Sequence, residues 1–113
     1  PDVMMDVDQI KQVFVNIILN AAEAMSQGGI LTIQSDSDPQ KKFAEVCFID
    51  TGPGIPEENL SKIFDPFFTT KRSGKGTGLG LSVSYGIIQR HDGFLEVKSQ
   101  LGKGSTFTVK LPL

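Results

Sequence analysis

Glycine is concentrated in one part of the chain, and this concentration constrains the fold more than any other feature. Eight of the 12 glycines lie within residues 52–93, and four of them alternate with other residues from Gly74 to Gly80. An apolar pattern of helical period starts at Leu79, so these glycines stand where a helix begins. Backbone N–H groups and the helix dipole favour an anion there, and Lys75 adds a positive charge. The segment predicts a phosphate site.

This glycine segment matches neither of two common phosphate-binding motifs. A P-loop needs Ser or Thr after its Lys, whereas Gly76 follows Lys75. No Gly-x-Gly of the chain is followed by x-x-Gly in the register of a dinucleotide fingerprint. A flexible loop before an ordinary helix is the alternative.

Length and composition indicate one water-soluble globular domain. The chain has 113 residues, 39% of them hydrophobic, and its net charge of −2 disfavours nucleic acid held by bulk electrostatics. The single Cys47 excludes an intrachain disulfide and a multi-cysteine metal site, and we interpret it as a small buried hydrophobe. No apolar stretch approaches the roughly 20 residues of a membrane span. Because the sequence does not begin with Met, we expect it to be a piece of a longer protein.

The periodicities predict three helices and four strands. Asp8 is the expected N-cap of the first helix, and Gly93 is the expected C-terminal stop of the third. The resulting order is an α+β fold, a two-layer α/β sandwich with an antiparallel or mixed sheet and helices on one face. The predicted helices are 9–26, 56–63 and 79–91, the predicted strands are 30–35, 43–49, 94–99 and 105–111, and residues 65–77 are expected to be irregular.

The first predicted helix carries a polar stripe opposite its apolar one. Gln12, Asn16, Asn20 and Glu23 fall on one side of it. Neutral amide oxygens one turn apart are suitable ligands for a hard cation such as Mg²⁺. The alternative is a solvated helix face.

Asp50 ends an apolar strand and precedes Gly52 and Gly54. A carboxylate at a strand end can accept a hydrogen bond from a ligand amino group, and the glycines allow the backbone to approach closely. An ordinary Asp-Gly turn is the alternative.

The segment that follows combines aromatic and basic residues. Phe64 and Phe67 enter the irregular stretch, which also contains Lys71, Arg72 and Lys75. These residues predict a basic lid that closes over phosphates, and the alternative is that the two phenylalanines belong to the core.

These segments, in this order, resemble the N, G1, F and G2 boxes of the catalytic ATP-binding domain of bacterial sensor histidine kinases, in the GHKL superfamily. The resemblance covers essentially the whole chain. Within this group, the chain is similar to the kinases of the nitrogen-regulation and sporulation type. It implies the Bergerat ATP-binding fold, with a mixed, mostly antiparallel sheet covered on one face by three helices. The matching motifs are Asn16-x-x-x-Asn20-Ala21, Asp50-x-Gly52-x-Gly54, Phe64-x-x-Phe67 and Gly74-x-Gly76-x-Gly78-x-Gly80.

The resemblance also implies roles for individual residues. Asn20 would be the main Mg²⁺ ligand, Asn16 would assist with phosphate and metal, and Asp50 would accept the adenine amino group. Gly52 and Gly54 would shape the adenine end, and Ser105 would line its floor. The lid would lie at about 65–77. Further binding residues implied are Phe67, Lys71, Lys75, Gly76, Thr77, Gly78 and Leu79, and the implied catalytic residues are Asn16, Lys71 and Lys75.

The implied function is transfer of the γ-phosphate of Mg-ATP to a histidine on a separate helical dimerisation domain. The implied partners are that domain of the same protein and a response regulator, in the cytoplasm, with no nucleic acid and no membrane contact. Three alternatives stay open: a GHKL ATPase, an anti-sigma-type serine kinase, and a non-catalytic nucleotide-binding module. ATP-hydrolysing relatives place a Glu general base where Asn16 stands, which favours the kinase.

The roles that the resemblance implies do not extend directly to two residues, Glu23 and His91. Glu23 stands where many members have Lys or Arg, so the lid would supply the positive charge. His91 is the only histidine, and its place before Asp92-Gly93 predicts a partly positive imidazole at a helix C-terminus. We therefore expect His91 to be structural and not to accept phosphate.

Overall fold

The computed structural model describes residues 4–38, 40, 42–65 and 80–113, which form one sheet covered by helices. The sheet order is β1-β2-β4-β3, and all pairings among the described strands are antiparallel. The predicted α+β fold is confirmed. No helix within these ranges is long and apolar enough to cross a membrane. The elements are α1 Val7–Ala24, β1 Leu31–Asp38, β2 Phe43–Asp50, α2 Glu57–Leu60, α3 Gly80–Arg90, β3 Phe94–Gln100 and β4 Gly104–Pro112.

The core lies between the helices and one face of the sheet. Phe48 of β2 pairs with Phe107 of β4, and both side chains are buried. Phe14 of α1 meets Phe48 edge to face, with ring centroids 5.3 Å apart. The apolar stripe predicted for the first helix supplies the buried residues Ile10, Val13, Ile17 and Ala21. Burial of this stripe holds α1, and therefore its polar side, in a fixed orientation over the sheet.

The opposite face of the sheet is mostly polar, although it also carries the contacting rings of Phe43 and Phe94. Lys110 lies between Glu96 and Glu45, with Nζ 2.8 Å and 3.7 Å from their carboxylate oxygens. The hydrogen bond to Glu96, aided by Glu45, raises the pKa of Lys110 above its ordinary value. Since these side chains are partly exposed, the network stabilises the fold by about 1 kcal/mol at most.

Cys47 lies on this polar face, and the prediction that it is buried is wrong. It is half-buried, and its Sγ is 3.6 Å from Thr108 Oγ1. Alternate residues of a strand point to opposite faces, so the burial of Phe48 turns Cys47 away from the core.

Several element boundaries differ from the predicted ones. The N-cap of α1 is Asp6, whose side chain accepts a hydrogen bond from the Gln9 N–H, so the predicted cap at Asp8 is wrong. Asp8 stands in the first turn instead, where its charge suits the helix dipole. The β1–β2 pairing continues to Asp38 and Phe43, and α2 is a single turn that ends at Leu60.

His91 connects the end of α3 to the start of α1. Its Nδ1 lies 2.8 Å from the Ile87 carbonyl oxygen, and its Nε2 accepts a hydrogen bond from the Asp6 N–H at 3.0 Å. A ring that accepts at Nε2 and donates at Nδ1 is neutral. The structural role predicted for His91 is confirmed, but the predicted partial positive charge is wrong.

His91→Ala is expected to lower the free energy of unfolding by about 1–3 kcal/mol, because it leaves the Asp6 N–H and the Ile87 carbonyl without this partner. Urea unfolding measures the change. Gln89→Ala is the control, since Gln89 is exposed on the same last turn of α3. Equal stabilities of the two variants would show that the contact contributes nothing.

Candidate functional site

A cluster of polar groups joins the polar side of α1 to the first turn of α3. Asn16 Nδ2 donates to the Gly80 carbonyl and to Ser84 Oγ, both at 3.1 Å. Ser84 Oγ donates its own proton to the Gly80 carbonyl at 2.8 Å. Gln12 Nε2 donates to Asn16 Oδ1 at 2.9 Å. Asn16 therefore bridges two helices and does not belong to a solvated helix face.

The same side of α1 continues from Asn16 towards the end of β2. Asn20 is half-buried one turn further along the helix. One turn beyond it, the Ala24 Cβ lies 3.6 Å from where a Cβ on Gly52 would stand. The polar side of α1 thus runs from the start of α3 to the turn that follows Asp50.

Asp50 is a buried carboxylate held in one orientation. It is the last residue of β2, its side chain is 5% exposed, and it pairs with Ser105 of β4. Its Oδ1 accepts hydrogen bonds from the Gly52 N–H at 2.9 Å and the Ser105 N–H at 3.2 Å. Both of these hydrogen bonds from described residues end on Oδ1, and Oδ2 takes part in neither of them.

The turn after Asp50 is pressed against the β3–β4 connection. A Cβ on Gly54, whose φ is +80°, would overlap the Gln100 carbonyl, and the Gly102 N–H donates to the Pro53 carbonyl at 2.8 Å. The bond from Gly52 to Asp50 is the Asp-Gly turn that was considered as an alternative. The turn is therefore present in the structure, and it also holds the Asp50 carboxylate in place.

Ser105 lies beside Asp50 and is connected to a second serine. Its Oγ is 2.9 Å from Ser99 Oγ, which also accepts a hydrogen bond from the Ile55 N–H at 2.7 Å. Ser99 and Ser84 are not among the residues that the sequence predicts for the site. Ser99 faces Ser105 in the β3–β4 register, so pairing the two predicted strands would have found it. Nothing in the sequence pattern singles out Ser84.

Most of the glycine-rich segment and the lid lies outside the described residues. Of the predicted lid at 65–77, only Asp65 is described. Phe64 is half-buried against the core, and its ring stacks on Tyr85 with centroids 5.0 Å apart, so the core interpretation is confirmed for Phe64. The predicted site residues outside the described ranges are Phe67, Lys71, Arg72, Lys75, Gly76, Thr77, Gly78 and Leu79.

The oxygen atoms of this site suit a hard cation that is coordinated by protein and phosphate oxygens together. Among the described residues, no cluster of three His, Cys, Asp or Glu side chains could hold a metal by itself. Mg²⁺ keeps several waters and substrate phosphate oxygens, so it needs few protein ligands. Within the described part of the chain, the hydrogen bond that Asn16 Oδ1 accepts comes from exposed Gln12, which a cation can displace. The site therefore fits Mg²⁺ brought by a phosphate ligand.

Comparison with known proteins identifies the family of this chain. Residues 5–113 match the family described as histidine kinase-, DNA gyrase B- and HSP90-like ATPase, and the chain belongs to that family. Sensor kinase CckA of Brucella abortus is 45% identical over 95% of the chain, and sporulation kinase C of Bacillus subtilis is 47% identical over 96%. The predicted relationship to sensor histidine kinases of the sporulation type is confirmed.

Solved structures agree with these relatives. The catalytic domain of histidine kinase ThkA superposes with a TM-score of 0.83 at 40% identity, covering 97% of this chain and 71% of that one. Full-length ShkA in complex with AMPPNP superposes with a TM-score of 0.87 at 25% identity, covering 99% of this chain and 23% of that one. This chain spans 13% of the length of CckA and 24% of that of sporulation kinase C.

Proposed function

We propose that residues 1–113 form the catalytic domain of a sensor histidine kinase, which binds Mg-ATP and donates its γ-phosphate to a histidine on another domain of the same protein. The observation that carries the proposal is Asp50, a buried carboxylate held through Oδ1 next to a glycine turn. A fixed, buried acceptor of this kind selects a ligand amino group such as that of adenine. The phosphoryl group would pass on to a response regulator, and the use of ATP implies a cytoplasmic site.

The proposed roles are given in order, from the adenine end of the site to its phosphate end. Asp50 accepts the adenine amino group, with Ser105 beneath the ring and the turn containing Gly52 and Gly54 at its edge. Asn20 and Asn16 hold Mg²⁺, which when bound neutralises phosphate charge. At the phosphate end we place Gly76, Thr77, Gly78 and Leu79 against the phosphates, with Phe67, Lys71 and Lys75 in the lid.

Catalysis at such a site consists of positioning and charge stabilisation. Phosphoryl transfer needs an attacking group in line with the leaving oxygen and cations around the equatorial oxygens. Asn16 carries a neutral amide, which is not basic enough to take a proton from water. We therefore expect ATP hydrolysis to be slow in the absence of the acceptor domain.

Phosphotransfer in trans tests the proposal. We expect this chain, incubated with radiolabelled Mg-ATP and the helical histidine domain of its own parent protein, to produce an acid-labile, alkali-stable phosphoprotein. Chain carrying His91→Gln is the control for self-phosphorylation, and it is expected to transfer phosphate as well as the unaltered chain because His91 is structural. An acid-stable product would identify a serine kinase. Absence of any phosphoprotein despite ATP binding would identify a non-catalytic nucleotide-binding module.

A further inference from the structure

Ser84 is a fully buried hydroxyl on the apolar side of α3. Its exposure is 0%, and it lies in the same helix as the core residues Ile87 and Ile88. A buried hydroxyl destabilises a fold unless it is hydrogen-bonded. Ser84 donates to the Gly80 carbonyl and accepts from Asn16 Nδ2, so both of its capacities are used.

The Gly80 carbonyl and Ser84 Oγ determine whether the nitrogen or the oxygen of the Asn16 amide faces α3. The Gly80 carbonyl can only accept a hydrogen bond, and Ser84 has given its single proton to that carbonyl. While that bond is made, both groups can receive only N–H groups from Asn16. A rotated amide would place Oδ1 against the Gly80 carbonyl, and Ser84 could donate to Oδ1 only by giving up its own bond to that carbonyl, so the arrangement favours Oδ1 pointing away from α3.

We infer that Ser84 is a positioning residue, which turns Asn16 Oδ1 outward so that it can take part in holding Mg²⁺ and, through the cation, phosphate. This inference rests on the proposed function, because it assigns a purpose to the orientation of an amide in the proposed site. Of the two acceptors, the Gly80 carbonyl belongs to the backbone, and Ser84 is the one that substitution can remove. Without Ser84, one N–H of Asn16 loses its partner, and only the bond to the Gly80 carbonyl still holds the amide in this orientation.

The test is the affinity of the chain for ATP, measured by calorimetry with saturating Mg²⁺ and again with a chelator. The informative quantity is the ratio of the two affinities. Ser84→Ala is expected to reduce this ratio about tenfold, as removal of a partner that orients a metal ligand commonly does. The affinity for ATP in the chelator is expected to stay unchanged, because the Asp50 region is untouched.

Two further variants separate positioning from a general loss of stability. Ile88→Val loosens the core in the same helix at a fully buried side chain that is not part of the Asn16 cluster, and it is expected to leave the ratio unchanged. Asn16→Ala is expected to reduce the ratio by itself, and adding Ser84→Ala to it is expected to have no further effect. If Ser84→Ala does not fold, Ser84→Cys replaces it, because a thiol fills the space and accepts hydrogen bonds only weakly.

An unchanged ratio in folded Ser84→Ala or Ser84→Cys would overturn the inference and leave the proposed function standing. An equal loss in the Asn16→Ala background would also overturn it, because Ser84 would then act by another route. If the unaltered chain binds no ATP, the proposed function fails and the inference fails with it.

Discussion

Asp50→Asn is expected to lower the affinity for ATP and ADP about 10- to 100-fold while the chain stays folded, which corresponds to the loss of one hydrogen bond to a charged group. The Gly52 and Ser105 N–H groups both point at the oxygen in the Oδ1 position. The Asn carbonyl must stay there to accept them, so the new Nδ2 stands where Oδ2 was. An NH₂ group then faces the amino group of adenine, and two donors cannot bond.

Calorimetric titration of each variant with ATP, ADP and GTP measures this effect. The preference for adenine over guanine is expected to fall as well, because guanine carries a carbonyl oxygen where adenine carries its amino group. Asp36→Asn is the matched control, since it makes the same change on the edge strand β1, where Asp36 is exposed. Unchanged ATP affinity in folded Asp50→Asn would remove Asp50 from the adenine site.

Gly104→Ala is expected to lower the free energy of unfolding by about 3 kcal/mol or more, from left-handed backbone strain together with overpacking. Gly104 has a φ of +126°, and a Cβ there would overlap the Asp50 carbonyl oxygen. The obstructing atom belongs to the backbone of β2, so it cannot rotate away as a side chain would. The strands must separate at the pair formed by Asp50 and Ser105, which places the damage at the candidate site.

Gly102→Ala separates strain from overlap within the same turn. Gly102 also has a positive φ, +80°, but a Cβ on it would meet nothing within 4 Å. Its cost is therefore the backbone strain alone, about 1–2 kcal/mol. Urea unfolding of both variants gives the comparison. Equal destabilisation would mean that the approach of Gly104 to β2 is not as close as described. If Gly104→Ala folds partially, loss of ATP binding is expected before loss of the helices.

Local patterns were enough to predict the layers of the fold. The apolar spacing of α1 predicted its buried side, and the strand predicted at 105–111 contains the core residues Phe107, Val109 and Leu111. Both predictions succeed because burial of one side of a helix or strand dominates its stability. Boundaries were less accurate. Asp6 and Asp8 both suit a helix start by type, and the contact of the Asp6 N–H with His91 is made only in the folded chain.

For the candidate site, too, some features were predictable from local sequence and others were not. The residue types and spacings of Asn16, Asn20 and Asp50 predicted which side chains form the candidate site, because an amide pair one turn apart and an acid before glycines are local features. Their orientations are not local. Ser84 is 68 residues from Asn16, and Ser105 is 55 residues from Asp50, yet each fixes the direction of its partner.

The sequence by itself determined the fold class, the buried sides of the elements and the identity of the polar residues along one side of α1. Only the tertiary structure decided that the Asn16 amide turns its oxygen outward, that Asp50 is held through one oxygen, that His91 is neutral, and that Cys47 faces away from the core. The physical reason is that periodicity depends on neighbours a few residues away. Hydrogen-bond direction depends on which donors and acceptors distant segments bring together.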